Sequence, residues 1–232
     1  MAESLTAELV HATRSLEELL PLQETLESTM TKISEVSVRL IKGCDLASVS
    51  LVENGQVETP GASDEVAIDL DREQYRADSG PSLEAIKQAN KMIIDDMEID
   101  TRWPEFSRAA VIKGVSSTLS IPIKSDGVTS GLNLYGRSKH AFRDTPNELT
   151  DLLAGRVSIA IENAKLYSAS TRLTEQLNEA IKTREIIGEA KGILMAREGV
   201  SEDGAFQMLV TASQNTNTKL REIAQKIVAE TT

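Results

Sequence analysis

The 232-residue sequence predicts an α+β domain, an antiparallel sheet flanked by helices, then an all-α module of three helices, joined by a long coiled-coil-like helix. Three observations carry this prediction. Two extended runs, Val115 to Ile123 and Val128 to Tyr135, flank the turn Ser125-Asp126-Gly127 and read as an antiparallel hairpin. From Pro146 onward the pattern is helical throughout. Along that stretch Ile159, Leu166, Leu173, Ala180 and Ile187 recur every seven residues, with Leu177 and Ile181 beside them.

The remaining elements follow in order. Ser15 to Lys42 is helical by the spacing of Leu16, Leu19, Leu20, Leu26, Met30, Ile33, Val36 and Leu40. Pro21 either starts a helical segment there or kinks one, and Gly43 ends it. Leu46 to Val52 is a strand closed by Glu53-Asn54-Gly55. Glu65 to Tyr75 fits a strand or a short helix, and the helix is preferred. Gly80-Pro81-Ser82-Leu83 opens another helix with Pro in its first turn. Lys91 to Asp95 is a short apolar strand, and Trp103 to Lys113 a helix beginning beside Pro104.

The seven-residue stripe demands a partner helix. Either the chain's own N-terminal helix covers it or a second copy does, and a homodimer is preferred because a helix between two domains lacks local cover. Gly188 and Gly192 interrupt that helix weakly and Gly199 caps its end. Ser201 caps the next helix, Asn215-Thr216-Asn217 breaks it, and Leu220 to Ala229 is the last, with Thr218 as its cap. The expected division is a helical extension over 1–24, a sheet domain over 25–166, and a connecting helix with three-helix module over 167–232.

Composition narrows the function classes. At 40% hydrophobic and 26% charged, the chain is suited to folding in water, and with one Trp, three Tyr and three Phe its core must rest on aliphatic residues. No apolar run approaches the roughly 18–20 residues of a membrane span, and Met1-Ala2-Glu3-Ser4 lacks the pattern of a signal peptide. Cys44 has no second cysteine, and His11 and His140 are far apart, so neither a disulfide nor a bound metal is expected. A cytoplasmic protein without a membrane partner is the expectation. No Ser-His-Asp or Cys-His arrangement and no phosphate-cradling Gly-rich loop is present, so no catalytic residue is assigned and no enzyme is expected. The net charge of −11 is unevenly placed. Lys165 to Thr232 holds nine basic and nine acidic residues, so the whole excess belongs to residues 1–164 and the tail could still present a basic face.

Two segments carry a resemblance. Ala190-Lys191-Gly192-Ile193-Leu194-Met195-Ala196-Arg197, read with Arg184, Ala205-Phe206, Ala212 and Asn217-Thr218-Lys219-Leu220-Arg221-Glu222-Ile223-Ala224, resembles the ANTAR module over residues 172–230. Gly80-Pro81, Asp95-Asp96, Arg102-Trp103-Pro104, Gly114-Val115, Leu119-Ser120-Ile121-Pro122 and Gly131-Leu132-Asn133-Leu134-Tyr135 are together similar to GAF domains over residues 25–166. Such relatives often have Cys after the Gly-Pro pair; Ser82 stands there, which removes the argument for a thiol sensor. The Asn-Lys-x-Asp-type signature of cyclic-nucleotide-binding GAF domains is not seen either.

The resemblance implies a bacterial transcription antitermination regulator that binds RNA hairpins in nascent transcripts through its C-terminal helices, under the control of a GAF sensor. A hairpin presents closely spaced phosphates and unstacked loop bases, which calls for cations and amide or hydroxyl side chains. Arg184 and Lys191 share one helix face, Arg197 flanks them, and Asn215, Asn217, Lys219 and Arg221 cluster at the break before the last helix. Met195 and Phe206 read as core, and the polar segments lack aromatics, so charge and shape rather than base stacking would carry affinity. In the first domain, Arg102 and Trp103 either clamp an anionic or planar ligand or anchor a helix start, and Asn133 and Tyr135 face a pocket or solvent. An unknown small-molecule signal, or a protein partner, is the expected input. Asp95, Asp96, Glu98 and Asp100 form an acidic run, either a metal site or a solvated loop. The competing reading is a dimeric protein–protein scaffold, or a ligand sensor, without RNA binding.

Overall fold

The computed structural model describes residues 14, 25–53, 55–125 and 128–230. Its contacts divide the chain into two compact units, with the boundary between Ser168 and Ala169. The expected helical extension over 1–24 and the hairpin turn at Asp126-Gly127 lie, Arg14 apart, outside the described residues.

In the first unit, α1 (Leu26–Leu40) starts at Thr25, whose hydroxyl accepts the Ser28 amide at 3.2 Å. It presents Met30, Ile33 and Val36 to the core. Strands β1 (Leu46–Glu53) and β2 (Gln56–Ala62) form a hairpin. Helix α2 (Glu65–Ala77) begins at Asp64, whose carboxylate accepts the Val66 amide, and α3 (Pro81–Gln88) carries Pro81 in its first turn. The ambiguous segment from Glu65 is therefore a helix, as preferred. Strand β3 (Met92–Ile94) and helix α4 (Pro104–Ile112) lead to the long hairpin of β4 (Ser117–Ser125) and β5 (Val128–Gly136).

The five strands lie in the order β2-β1-β5-β4-β3, and every pairing is antiparallel. Strand β2 is absent from the sequence reading. Pro60 and Gly61 interrupt its β pattern, and both are tolerated because β2 is an edge strand. Alternation then gives the sheet two unlike faces. Ala47, Val49, Leu51, Leu119, Ile121, Ile123, Leu132 and Leu134 pack against α1 and the first turns of the long helix, through Leu149, Leu153, Val157 and Ile161. The approach of α1 is so close that a Cβ at Gly61 would lie 2.4 Å from the Thr31 nitrogen. On the other face Leu46 and Tyr135 join Ala67, Leu70, Phe106 and Ala110 of α2 and α4.

Helix α5 (Asn147–Glu198) continues through Gly188 and Gly192. In the second unit α6 (Glu202–Thr216) starts at Ser201, whose hydroxyl accepts the Gly204 amide at 3.2 Å. It ends with Asn217 in the left-handed region at φ 49°. Helix α7 (Leu220–Ala229) has Lys219, not Thr218, at its cap position. The Thr218 hydroxyl instead donates back to the Thr216 carbonyl at 3.2 Å, toward the end of α6. Ala190, Leu194, Ala205, Leu209, Ile223 and Ala224 form this unit's core. Small residues at the contact let three short helices approach closely.

Candidate functional site

Two places draw together the residues predicted to bind something. The first is the sheet face beneath α2 and α3. Ser48, Asn133 and Ser120 lie opposite one another across β1, β5 and β4, and all three are fully buried. Above them α2 contributes Asp71, fully buried and without a cation beside it among the described residues. Its carboxylate accepts the Tyr135 hydroxyl at 2.6 Å, the Thr59 hydroxyl at 2.8 Å and the Asn133 amide at 3.1 Å. Burial pushes its pKa up to about 6, against the lowering effect of those donors. The Asn133 amide also donates to Ser50 at 2.9 Å, Ser50 pairs with Ser82 at 3.1 Å and Tyr75 at 2.7 Å, and Gln74 Oε1 accepts the Ser82 amide at 2.8 Å. Among the described residues, Asn133 Oδ1 and Ser120 Oγ are buried without a partner. This face holds more hydrogen-bonding capacity than the protein itself satisfies.

Asn133 and Tyr135 thus point into one buried polar network. Arg102 does not join it. Its guanidinium is exposed, donates to Asp100 and to the Ile93 carbonyl at 2.6 Å, and lies 4.6 Å from the centre of the Trp103 ring. Trp103 is the residue before α4 and packs against the cluster containing Tyr135. The acidic run is matched by cations: Asp95 faces Arg143, Asp96 and Glu98 share Lys139, and Asp100 holds Arg102. Among the described residues no group of three potential metal ligands is found.

Sequence reasoning missed Asp71, Gln74, Tyr75, Ser48, Ser50 and Thr59. The available signal was Asp71 and Gln74 falling at helical spacing with Ala67 and Leu70, on the face that is buried. Cys44 is also buried, donating to the Leu46 carbonyl at 3.2 Å, and desolvation pushes its thiol up to about 12. A thiolate is therefore disfavoured there.

The second place is the C-terminal unit. Lys191 is half-buried and ion-paired with Glu202 at 2.5 Å, which holds the Glu202 carboxyl below its usual range. Arg197 pairs with Glu198 at 2.9 Å, and Arg221 with Glu179. Arg184 and Lys219 are exposed and have no ion pair among the described residues. Asn215 and Asn217 are exposed at the end of α6, beside Lys219. The structure therefore gathers Asn215, Asn217, Lys219 and Arg221 at the α6–α7 junction, with Lys191 at the start of α6. Arg184 and Arg197 stand elsewhere on α5. Met195 and Phe206, expected in the core, are both exposed by about two-fifths. Phe206 lies about 100° round the helix from buried Ala205, which turns its ring away from the centre.

These two places correspond to two domains known in other proteins. The family model of the GAF domain matches residues 23–162, more than half of the chain. The chain belongs to the GAF domain family. An ANTAR domain matches residues 175–228, which takes in α6, α7 and the end of α5. The GAF domain resembles in fold fRMsr of Staphylococcus aureus, at 11% identity and a TM-score of 0.52, over 66% of this chain and 94% of that one. Bacteriophytochrome RpBphP3 of R. palustris is similar at 12% identity and a TM-score of 0.55, over 88% of this chain and 46% of that one. In sequence, the transcriptional regulatory protein PdtaR of Mycobacterium tuberculosis is 24% identical over 182 residues, which are 73% of this chain and 88% of that protein. GAF and ANTAR domains together mark a regulatory protein of the antitermination family. Among the described residues no helix is long and apolar enough to cross a membrane.

Proposed function

We propose that this protein is a signal-responsive, homodimeric regulator that binds hairpins in nascent transcripts through its ANTAR domain and prevents termination under the control of its GAF domain. One observation carries the RNA reading. The ANTAR match takes in the exposed Asn215, Asn217 and Lys219 at the α6–α7 junction, with half-buried Arg221, paired with Glu179, beside them. Such a cluster suits phosphates and loop bases together, and its affinity falls with salt.

The dimer reading is supported by the exposed stripe of α5. Leu166, Leu173, Leu177 and Ile181 are each more than half exposed in the single chain. In the heptad frame Leu166, Ser170, Leu173, Leu177, Ala180, Arg184, Ile187, the flanking positions are Tyr167, Ala169, Thr174, Gln176, Ile181, Thr183 and Gly188, all neutral. The charges from Arg172 to Glu189, Arg184 apart, fall on the opposite side. A helix solvated all round has no reason to segregate charge in this way. Arg184 then belongs to the seam, where a polar residue sets register.

The GAF domain's input is a small hydrogen-bonding molecule seated against the row of Ser48, Asn133 and Ser120, where buried polar capacity is unmet. Binding can act on the ANTAR pair only to the extent that it favours one arrangement of the dimer over another.

The deciding experiment titrates the full chain against a tandem-hairpin RNA at two salt concentrations, beside an unrelated duplex. The expected result is salt-dependent preference for the hairpins, with Lys219→Ala and Arg221→Ala together weakening binding while the fold is retained. Equal binding by the double variant would place the interface on other residues, and no preference of the wild type for the hairpins would favour the scaffold.

A further inference from the structure

Of the three phenylalanines, Phe106 and Phe142 are 2% exposed and lie in the two cores of the GAF domain, whereas Phe206 is 39% exposed and lies outside the core cluster of its unit. Its ring is therefore open in part to solvent, beside rather than within that core. Its position on α6 is specific. Glu202, Phe206, Val210 and Ser213 follow one another at intervals of four, four and three, so they form a single row along the helix, which Asn217 follows at its C-terminal cap.

A lysine stands by each end of that row. At the start, Glu202 holds the Lys191 ammonium at 2.5 Å, one helical turn from Phe206. At the end, the Ser213 hydroxyl donates to the Thr218 carbonyl at 2.6 Å and fixes the turn that exposes Asn217 beside Lys219. An aromatic ring thus lies between an ammonium on one side and an amide followed by an ammonium on the other. Cations at both ends suit the phosphates of one loop, and the ring between them offers a flat apolar face for a base splayed from that loop.

We propose that Phe206 is the stacking platform for an unpaired base of the hairpin loop, so that base stacking adds to charge in RNA recognition. The proposal rests on the RNA reading above. It revises the expectation that charge and shape rather than base stacking carry affinity, which followed from the lack of aromatics in the polar segments.

The test uses the full chain and a tandem-hairpin RNA with 2-aminopurine substituted at one loop position at a time. With the wild-type protein, fluorescence is quenched on binding at one loop position. Phe206→Leu keeps an apolar side chain, loses that quench and weakens binding about tenfold, whereas Phe206→Tyr keeps both. Thermal melts of the three proteins establish that the fold is shared. Wild-type affinity and an unchanged quench in Phe206→Leu overturn the proposal and leave the RNA reading standing. Unchanged RNA affinity with an altered mass by light scattering also overturns it, and makes this face a protein contact. Absence of RNA binding by the wild type removes the RNA reading itself, and this inference with it.

Discussion

Lys191 Nζ lies 2.5 Å from a carboxylate oxygen of Glu202, so a cation predicted to meet RNA is held by the first turn of the next helix. The pair links α5 to α6 and also sets a competition, because a phosphate must displace the carboxylate to reach the ammonium. A pair whose carboxylate is open to solvent in this way is weak and yields readily to a polyanion. Glu202→Gln is expected to raise RNA affinity by roughly two- to threefold at low salt. Lys191→Met is expected to lower it and to reduce the salt slope by about one contact. Filter binding across a salt series checks both, and equal slopes for Lys191→Met and wild type would remove Lys191 from the interface.

The α5 seam makes a separate prediction. Leu173→Glu with Leu177→Glu places four acidic groups in one dimer interface and is expected to give a monomer by sedimentation at micromolar concentration. Arg184→Leu replaces a seam cation with the residue that heptads favour, and is expected to tighten association. If Arg184→Leu instead weakens RNA binding without changing mass, Arg184 belongs to the RNA face.

Asp71 makes stability depend on pH in a direction opposite to that of most carboxylates. Burial raises its folded-state pKa from 3.8 to about 6. The folded chain therefore binds a proton that the unfolded chain releases earlier. Its contribution is fully present below pH 4 and is lost as pH rises through about 6, with a magnitude on the order of 3 kcal/mol. Asp71→Asn removes this dependence, so the difference in Tm between variant and wild type should move in favour of the variant from pH 4.5 to 7. A constant difference across that range would mean that Asp71 does not titrate there.

Gly61 is the tightest helix–sheet contact on the α1 side. A Cβ there would meet Thr31 N at 2.4 Å and Met30 Cβ at 2.5 Å, atoms that are fixed by the helix. Gly61→Ala is expected to cost about 3 kcal/mol by forcing α1 from the sheet, whereas Gly188→Ala, which meets nothing within 4 Å, is expected to stabilise α5 slightly. Urea denaturation separates the two.

The elements that were legible in the sequence are those whose signal is local. The β4–β5 hairpin alternates cleanly around its turn, α6 carries a side-chain cap at Ser201, and the stripe of α5 repeats over several turns. Strand β2 was not legible, because Pro60 and Gly61 read as a break unless the strand is known to lie at an edge. The polar network was illegible for a different reason. Asp71 and Gln74 look solvated on an isolated helix, and only the packing of α2 on β1 and β5 buries them. Asn133 and Tyr135 could be paired by alternation alone, but Thr59 and Ser50, their neighbours through Asp71 and Tyr75, come from strands remote in sequence. Phe206 was placed inside because a phenylalanine usually is. Its offset from Ala205 and Leu209 shows only when the helix is fixed.

The two margins of the sheet bear on how copies of this protein can meet. Strand β2 carries Pro60, which has no amide hydrogen to offer an incoming strand, and β3 is three residues long. Neither margin offers a ladder that another chain could extend, so the domain can reach high concentration without polymerising through its sheet. The association proposed for α5 uses a helix instead, a surface that closes on a fixed number of copies rather than growing without end.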